Sequence, residues 1–162
     1  MTESGLGQTP PMHPSDLYEL IDGAPDVAGY VRLRTESGLS PKTEEQARGA
    51  IAGSWSFRHV RDETGQTVAM GRIVGDGSWY FLIADMATLP EHQGQGLGGK
   101  ILDALLEDIR RLAPEGAYVT LTADPPGRRL YESRGFSDVA PDRTGMHLLL
   151  DTPPIDDGVG QP

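Results

Sequence analysis

The sequence predicts a single mixed α/β domain with a mostly antiparallel central sheet flanked by helices. Three observations carry that reading. A chain of 162 residues can build one core but leaves too little for two. Apolar runs separated by turn signals recur between Phe57 and Leu89, the mark of an antiparallel meander. From Gly98 onward the apolar period switches from that of a strand to that of a helix.

The elements follow in order. Met1 to Pro14 and Thr152 to Pro162 offer almost nothing to bury, which predicts flexible tails at residues 1–14 and 152–162 around a domain at 15–151. Tyr30 to Arg34 alternates apolar and basic residues as a short strand, and Pro41 opens a helix from Lys42 to Ala52. Phe57 to Arg61 and Thr67 to Val74 read as strands joined by Asp62-Glu63-Thr64-Gly65, and Gly75-Asp76-Gly77 turns the second into the next. Trp79 to Leu89 is apolar except for Asp85, as in a strand buried on both faces at the sheet centre, and Pro90 ends it. Leu97, Ile101, Leu105, Ile109 and Leu112, with Leu102 and Leu106, form a helical stripe that Pro114 and Gly116 stop. Tyr118 to Ala123 is a further strand. Asp124-Pro125-Pro126 then caps a short helix through Arg134 that Gly135 terminates, and Phe136 to Val139 and Met146 to Leu150 supply closing strands.

Lys and Arg number 14 against 24 Asp and Glu, a net charge of −10, which argues against nucleic acid or anionic membranes as partners and favours cationic ones. No apolar run approaches the roughly 18 residues of a membrane span. Without cysteine there is no disulfide, thiolate nucleophile or Cys-based metal site, and no signal-peptide layout opens the chain, so a cytoplasmic protein is expected. His13, His59, His92 and His147 show no metal-ligand spacing, and no metal is expected.

The segment Glu91-His92-Gln93-Gly94-Gln95-Gly96-Leu97-Gly98-Gly99-Lys100 joins the apolar strand to the amphipathic helix. Glycines leave their amides unshielded, and successive amides at a helix N-terminus form a partial-positive cradle for phosphate. Lys100 falls in the first turn, where the helix dipole disfavours a cation that does not face an anion. Gly94, Gly96 and Gly99 also spell G-x-G-x-x-G, with Asp124 where a dinucleotide fold would hold a ribose. Against a nicotinamide cofactor, the loop begins past Pro90-Glu91-His92, and the chain after Asp124 is too short to complete a doubly wound sheet.

Gln93-Gly94-Gln95-Gly96-Leu97-Gly98 is similar to the Q/R-x-x-G-x-G/A pyrophosphate loop of the GNAT N-acetyltransferases, and Leu130-Tyr131-Glu132-Ser133-Arg134-Gly135-Phe136 resembles their later tyrosine helix. The two stand in that family's order and spacing, and the resemblance extends upstream through Gly71 to Gly77, covering Tyr30 to Leu150. It implies a GNAT-like fold with acetyl-CoA as donor. The pyrophosphate would sit on Gln93, Gly94, Gln95, Gly96, Leu97, Gly98, Gly99 and Lys100, and the pantetheine arm would pair like an extra strand with Met86, Ala87 and Thr88. It further implies that Thr35 to Lys42 shapes the acceptor pocket.

Acetyl transfer to an amine needs a deprotonated nitrogen, a polarised carbonyl and a proton for the leaving thiolate. Tyr131 is the candidate acid, since a phenol is still protonated at neutral pH, and the resemblance places the family's tyrosine there. Asp85 is the candidate base, because burial in an apolar strand raises a carboxyl pKa; the alternative is a structural Asp satisfied at a strand bulge. The family often carries its base three residues earlier, where this chain has Leu82, which cannot serve. His92 reads as a solvent-exposed loop residue, with deprotonation of the amine or a cofactor contact as its alternative, and a water chain can replace a carboxylate base. Arg128 and Arg129 read as a solvated pair, with the 3′-phosphate of CoA as the alternative, and Trp55, Trp79 and Tyr80 as core or rim aromatics. The expected function is acetylation of a primary amine of a small molecule without a covalent enzyme intermediate, by a monomer or homodimer. The alternatives are a protein lysine or N-terminal acetyltransferase and a non-catalytic acyl-CoA-binding sensor.

Overall fold

A computed structural model describes residues 17–149 and arranges five strands in the order β1-β2-β3-β4-β5. Strand β1 is Tyr18–Asp22, β2 Ser56–Asp62, β3 Thr67–Gly75, β4 Tyr80–Thr88 and β5 Tyr118–Thr120. The first four pair antiparallel in sequence, and β5 joins β4 in parallel. The helices are α1 Val27–Glu36, α2 Glu44–Ala52, α3 Leu97–Leu112 and α4 Arg128–Glu132. The mixed, mostly antiparallel class predicted from the sequence is the class observed. The tails expected at residues 1–14 and 152–162 lie outside the described residues, as does Leu150.

Helix α3 supplies the main core contact, burying Leu97, Ile101, Leu102, Leu105, Leu106 and Ile109 against the sheet, each worth roughly 1.5–3 kcal/mol of transfer free energy. Leu112, expected in that stripe, is 55% exposed at the helix end. Helices α1 and α2 cover the other face. Tyr30 packs edge-on against Phe57, and Arg72 of β3 reaches the Ala50 carbonyl at the end of α2. Asp108 sits buried within the apolar stripe because Arg58 and Ser56 of β2 meet its carboxylate at 2.6–2.8 Å.

Several sequence expectations are corrected. Tyr30 to Arg34 is not a strand but lies inside α1, whose N-cap Asp26 accepts from the Gly29 amide at 2.7 Å; Tyr30, Leu33 and Arg34 are buried at helical spacing. Strand β1 has no counterpart in the sequence reading. It is a charged edge strand, with Glu19 opposite Arg61 and Asp22 ion-paired to Arg58. Strand β4 is not buried on both faces: Phe81 and Ile83 face α3, whereas Tyr80 and Leu82 alternate outward to solvent. The strand expected at Tyr118 to Ala123 stops at Thr120, and residues 136–149 form no strand. The helix expected through Arg134 is a 3₁₀ turn at Pro125–Gly127 followed by the five residues of α4, and the Asp124 side chain does not cap it.

Candidate functional site

Three features meet where β4 runs into α3. The first is a bulge in β4. Met70 lies opposite Ala87 and Arg72 opposite Ala84, so Asp85 and Met86 together oppose Gly71, and Asp85 takes a φ of +54°. The second is a gap between strands: pairing of β4 with β5 ends at Leu82 opposite Thr120, leaving the β5-facing backbone edge beyond Leu82 unpaired. The Met86 sulfur lies over Gly71, and Ala87, opposite Met70 of β3, is buried, so these two side chains turn to the core.

The third feature is the glycine loop. Gly96 is the N-cap of α3 at φ +76°, no side chain caps the helix, and Gly94 has φ +74°. A Cβ at either position would meet open space within 4 Å, so the loop has room before it and uncapped amides in the first turn. Gln93 does not add to this cradle: its amide donates to the Pro90 carbonyl at 3.3 Å, and its side chain donates to the Thr88 carbonyl at 3.2 Å. Lys100 is exposed in the first turn. Because an L residue resists the left-handed conformation of Gly96, Gly96→Ala is expected to cost ~1–2 kcal/mol, read as a lower urea midpoint of the free protein. An unchanged midpoint would reduce Gly96 to a clearance for ligand.

Helix α4 explains the other two glycines. A Cβ on Gly98 would come 3.3 Å from Leu130 Cδ2, and one on Gly99 would come 2.7 Å from Arg134 Nη2. Gly98 and Gly99 thus let α4 lie against the first turn of α3, and Arg134 locks the contact through Asp103 at 3.0 and 3.1 Å. Tyr131, between those two contact residues, is half-buried, packs edge-on against Phe136, and lines a cleft of about 670 Å³ with β5 and Leu106. Burial, and secondly the charge of Asp124, push its phenol pKa up.

Asp85 departs from the expectation of a raised pKa. Tyr30 donates to it at 2.5 Å, Arg72 Nε at 2.6 Å, and Arg34 Nη1 pairs with its other oxygen. Burial alone would lift the carboxyl pKa, but the bonds from Tyr30 and Arg72 and the charges of Arg72 and Arg34 outweigh it and hold the carboxylate below its ordinary range. A carboxylate so held is a poor proton acceptor at neutral pH. The sequence assigns Tyr30, Arg34 and Arg72 no role at this site, because they meet Asp85 only through the packing of α1 and β3.

The remaining candidates are peripheral. His92 accepts or donates a bond with the Tyr18 hydroxyl at 3.0 Å and meets that ring edge-on, so it is half-buried rather than free in the loop. Arg128 is engaged by Asp138 at 2.8 and 2.9 Å and by Glu132, which leaves the expected contact with a CoA phosphate in competition with two carboxylates. Among the described residues no helix is long and apolar enough to cross a membrane.

Residues 54–138 match the family described as acetyltransferase (GNAT) domain. Over 115 residues the chain is 28% identical to a rice protein, serotonin N-acetyltransferase 2, chloroplastic (Oryza sativa subsp. japonica). That match covers 69% of this chain and 56% of the relative, so the chain spans little more than half the length of that protein. Its backbone superposes with a TM-score of 0.78 on a protein of unknown function, named a probable acetyltransferase, from meticillin-resistant Staphylococcus aureus, at 33% identity over 82% of this chain and 99% of that one. A GNAT family acetyltransferase from Streptococcus pneumoniae shares the fold at TM-score 0.67 and 22% identity, with 83% and 99% of the two chains covered.

Proposed function

The chain belongs to the GNAT acetyltransferase family, and from that membership we propose that it transfers the acetyl group of acetyl-CoA directly to a primary amine of a small molecule. The observation that carries the reading is the docking of Leu130 on Gly98 and of Arg134, just past α4, on Gly99, which supports bringing the segment that bears Tyr131 to the first turn of the uncapped helix α3. The rice relative, whose name gives a small amine as its substrate, supports an amine acceptor, and the net charge of −10 favours drawing in a cation. In this reading the protein works in the cytoplasm as a monomer or homodimer.

Acetyl-CoA supplies a thioester, an acyl carbon already activated toward amines. The amides from Gly94 to Gly99 would hold its diphosphate, and the β4 backbone at Met86, Ala87 and Thr88, past the end of the pairing with β5, would hold its amide-bearing arm, with the Thr88 carbonyl shared with the Gln93 side chain. Tyr131 keeps its proton at neutral pH and gives it to the leaving sulfur. Asp85 fixes the bulge rather than accepting a proton. Arg34 and Arg72 outnumber it by one charge, which disfavours an ammonium beside the bulge and favours the free amine, its proton having passed to water.

Acetyl-CoA is expected to raise the melting temperature and NADH to leave it unchanged, since only a ligand of the native state stabilises it. At a hundredfold excess over Kd the gain is ~2.7 kcal/mol, or roughly 5–10 °C for a domain of this size. Stabilisation by NADH alone would end the acetyltransferase reading in favour of a nicotinamide cofactor.

A further inference from the structure

Among the described residues, the α1–α2 face of β4 is exposed on the side of the bulge away from the glycine loop. Arg72, beneath the end of α2 at Ala50 and Ser54, lies opposite Ala84; Val74 lies opposite Leu82, so Leu82 and Tyr80 share the face that carries Arg72 and Asp85. Across the parallel pairing Tyr80 is opposite Tyr118, with ring centroids 5.5 Å apart, and Trp79 meets Tyr80 edge-on at 5.5 Å. Trp79 is 58% exposed, Tyr80 43%, Leu82 37% and Tyr118 37%. Four large apolar side chains in one exposed group are unfavourable in water unless something uses them.

We propose that Tyr80, Leu82 and Tyr118 form the acceptor floor and select a primary amine carried on a flat aromatic group. Position is the first argument: β4 and β5 part just past Leu82, so the floor borders the gap where the free edge of β4 begins. Reach is the second, since the three residues from Leu82 to Asp85 span ~10 Å of strand, the extent of an aromatic ring and a two-carbon chain ending in nitrogen. Chemistry is the third. Tyrosine rings offer faces and edges that pair with another ring more favourably than with an alkyl chain, and the extra positive charge of Arg34 and Arg72 at the far end rejects a second ammonium. This assignment rests on the proposed acetyl transfer for its orientation, but it is tested through binding.

Calorimetric titration of the CoA-loaded protein, which cannot react, separates the two. 2-Phenylethylamine is expected to bind about tenfold more tightly than n-butylamine. Tyr80→Ala and Tyr118→Ala should each cut that ratio at least threefold, whereas Tyr80→Phe and Tyr118→Phe, which keep the rings, should preserve it. Melting temperatures measured alongside identify any variant that fails to fold, and the Phe pair then decides. Equal affinities in the wild type, or a ratio that survives both Ala variants, would overturn the aromatic floor. An aromatic preference in binding with no acetylation of any amine would instead sink the proposed reaction and leave the floor standing.

Discussion

Tyr131→Phe is expected to lower kcat by ~10²–10⁴-fold, the range of a general acid, while acetyl-CoA affinity and melting temperature stay where they were. The substitution keeps the ring that packs against Phe136 and lines the cleft, and removes only the proton. Burial and the neighbouring charge of Asp124 both push the phenol pKa above its ordinary value, so the acid remains loaded throughout the range in which an amine loses its own proton. The wild-type rate should therefore climb with pH and begin to fall only above ~10. Full turnover by the Phe variant would hand thiolate protonation to solvent and leave Tyr131 as a packing aromatic.

What could be read in the sequence was local. Leu97 to Ile109 buries every aliphatic residue that its period predicts, because one helix face decides it. The strands from Ser56 to Thr88 were legible because Gly65 and Gly77, both at positive φ, sit in turns that the residues themselves demand. Tyr30 to Arg34 misled because five residues are too few to tell period 2 from period 3.6, whereas Asp26 just upstream was a cap signal that could have settled it. The glycine pattern was visible as a loop, but not its division of labour: Gly96 answers to its own backbone, whereas Gly98 and Gly99 answer to Leu130 on α4 and Arg134 in the turn after it, more than thirty residues away. Asp85 stood out as a charge in an apolar strand, and what reversed its pKa did not. Tyr30 and Arg34 lie 55 and 51 residues before it, and only the packing of α1 on the sheet brings them there.

Asp85→Asn is expected to destabilise the fold by ~3–5 kcal/mol at neutral pH, as breaking a buried ion pair does, because it leaves Arg34 and Arg72 facing each other without a counter-charge. The side chains of all three are shielded, with exposures of 8% for Arg34, 16% for Arg72 and 10% for Asp85. Asparagine tolerates the positive φ of this position, so the variant removes the charge without adding the backbone strain that alanine would bring. Linkage fixes the sign of the pH dependence. The carboxyl pKa is lower in the folded protein than in the unfolded chain, so its stabilisation is complete above the unfolded value of ~4 and is lost as pH falls through the folded one. Urea unfolding across pH should show the wild type descending toward the variant below pH ~4, with the gap constant above pH ~5. A variant as stable as the wild type that loses rate mainly at low pH, and regains it as free amine becomes abundant, would make Asp85 the base. The expected pattern makes it the counter-charge that holds two arginines and a tyrosine around the bulge.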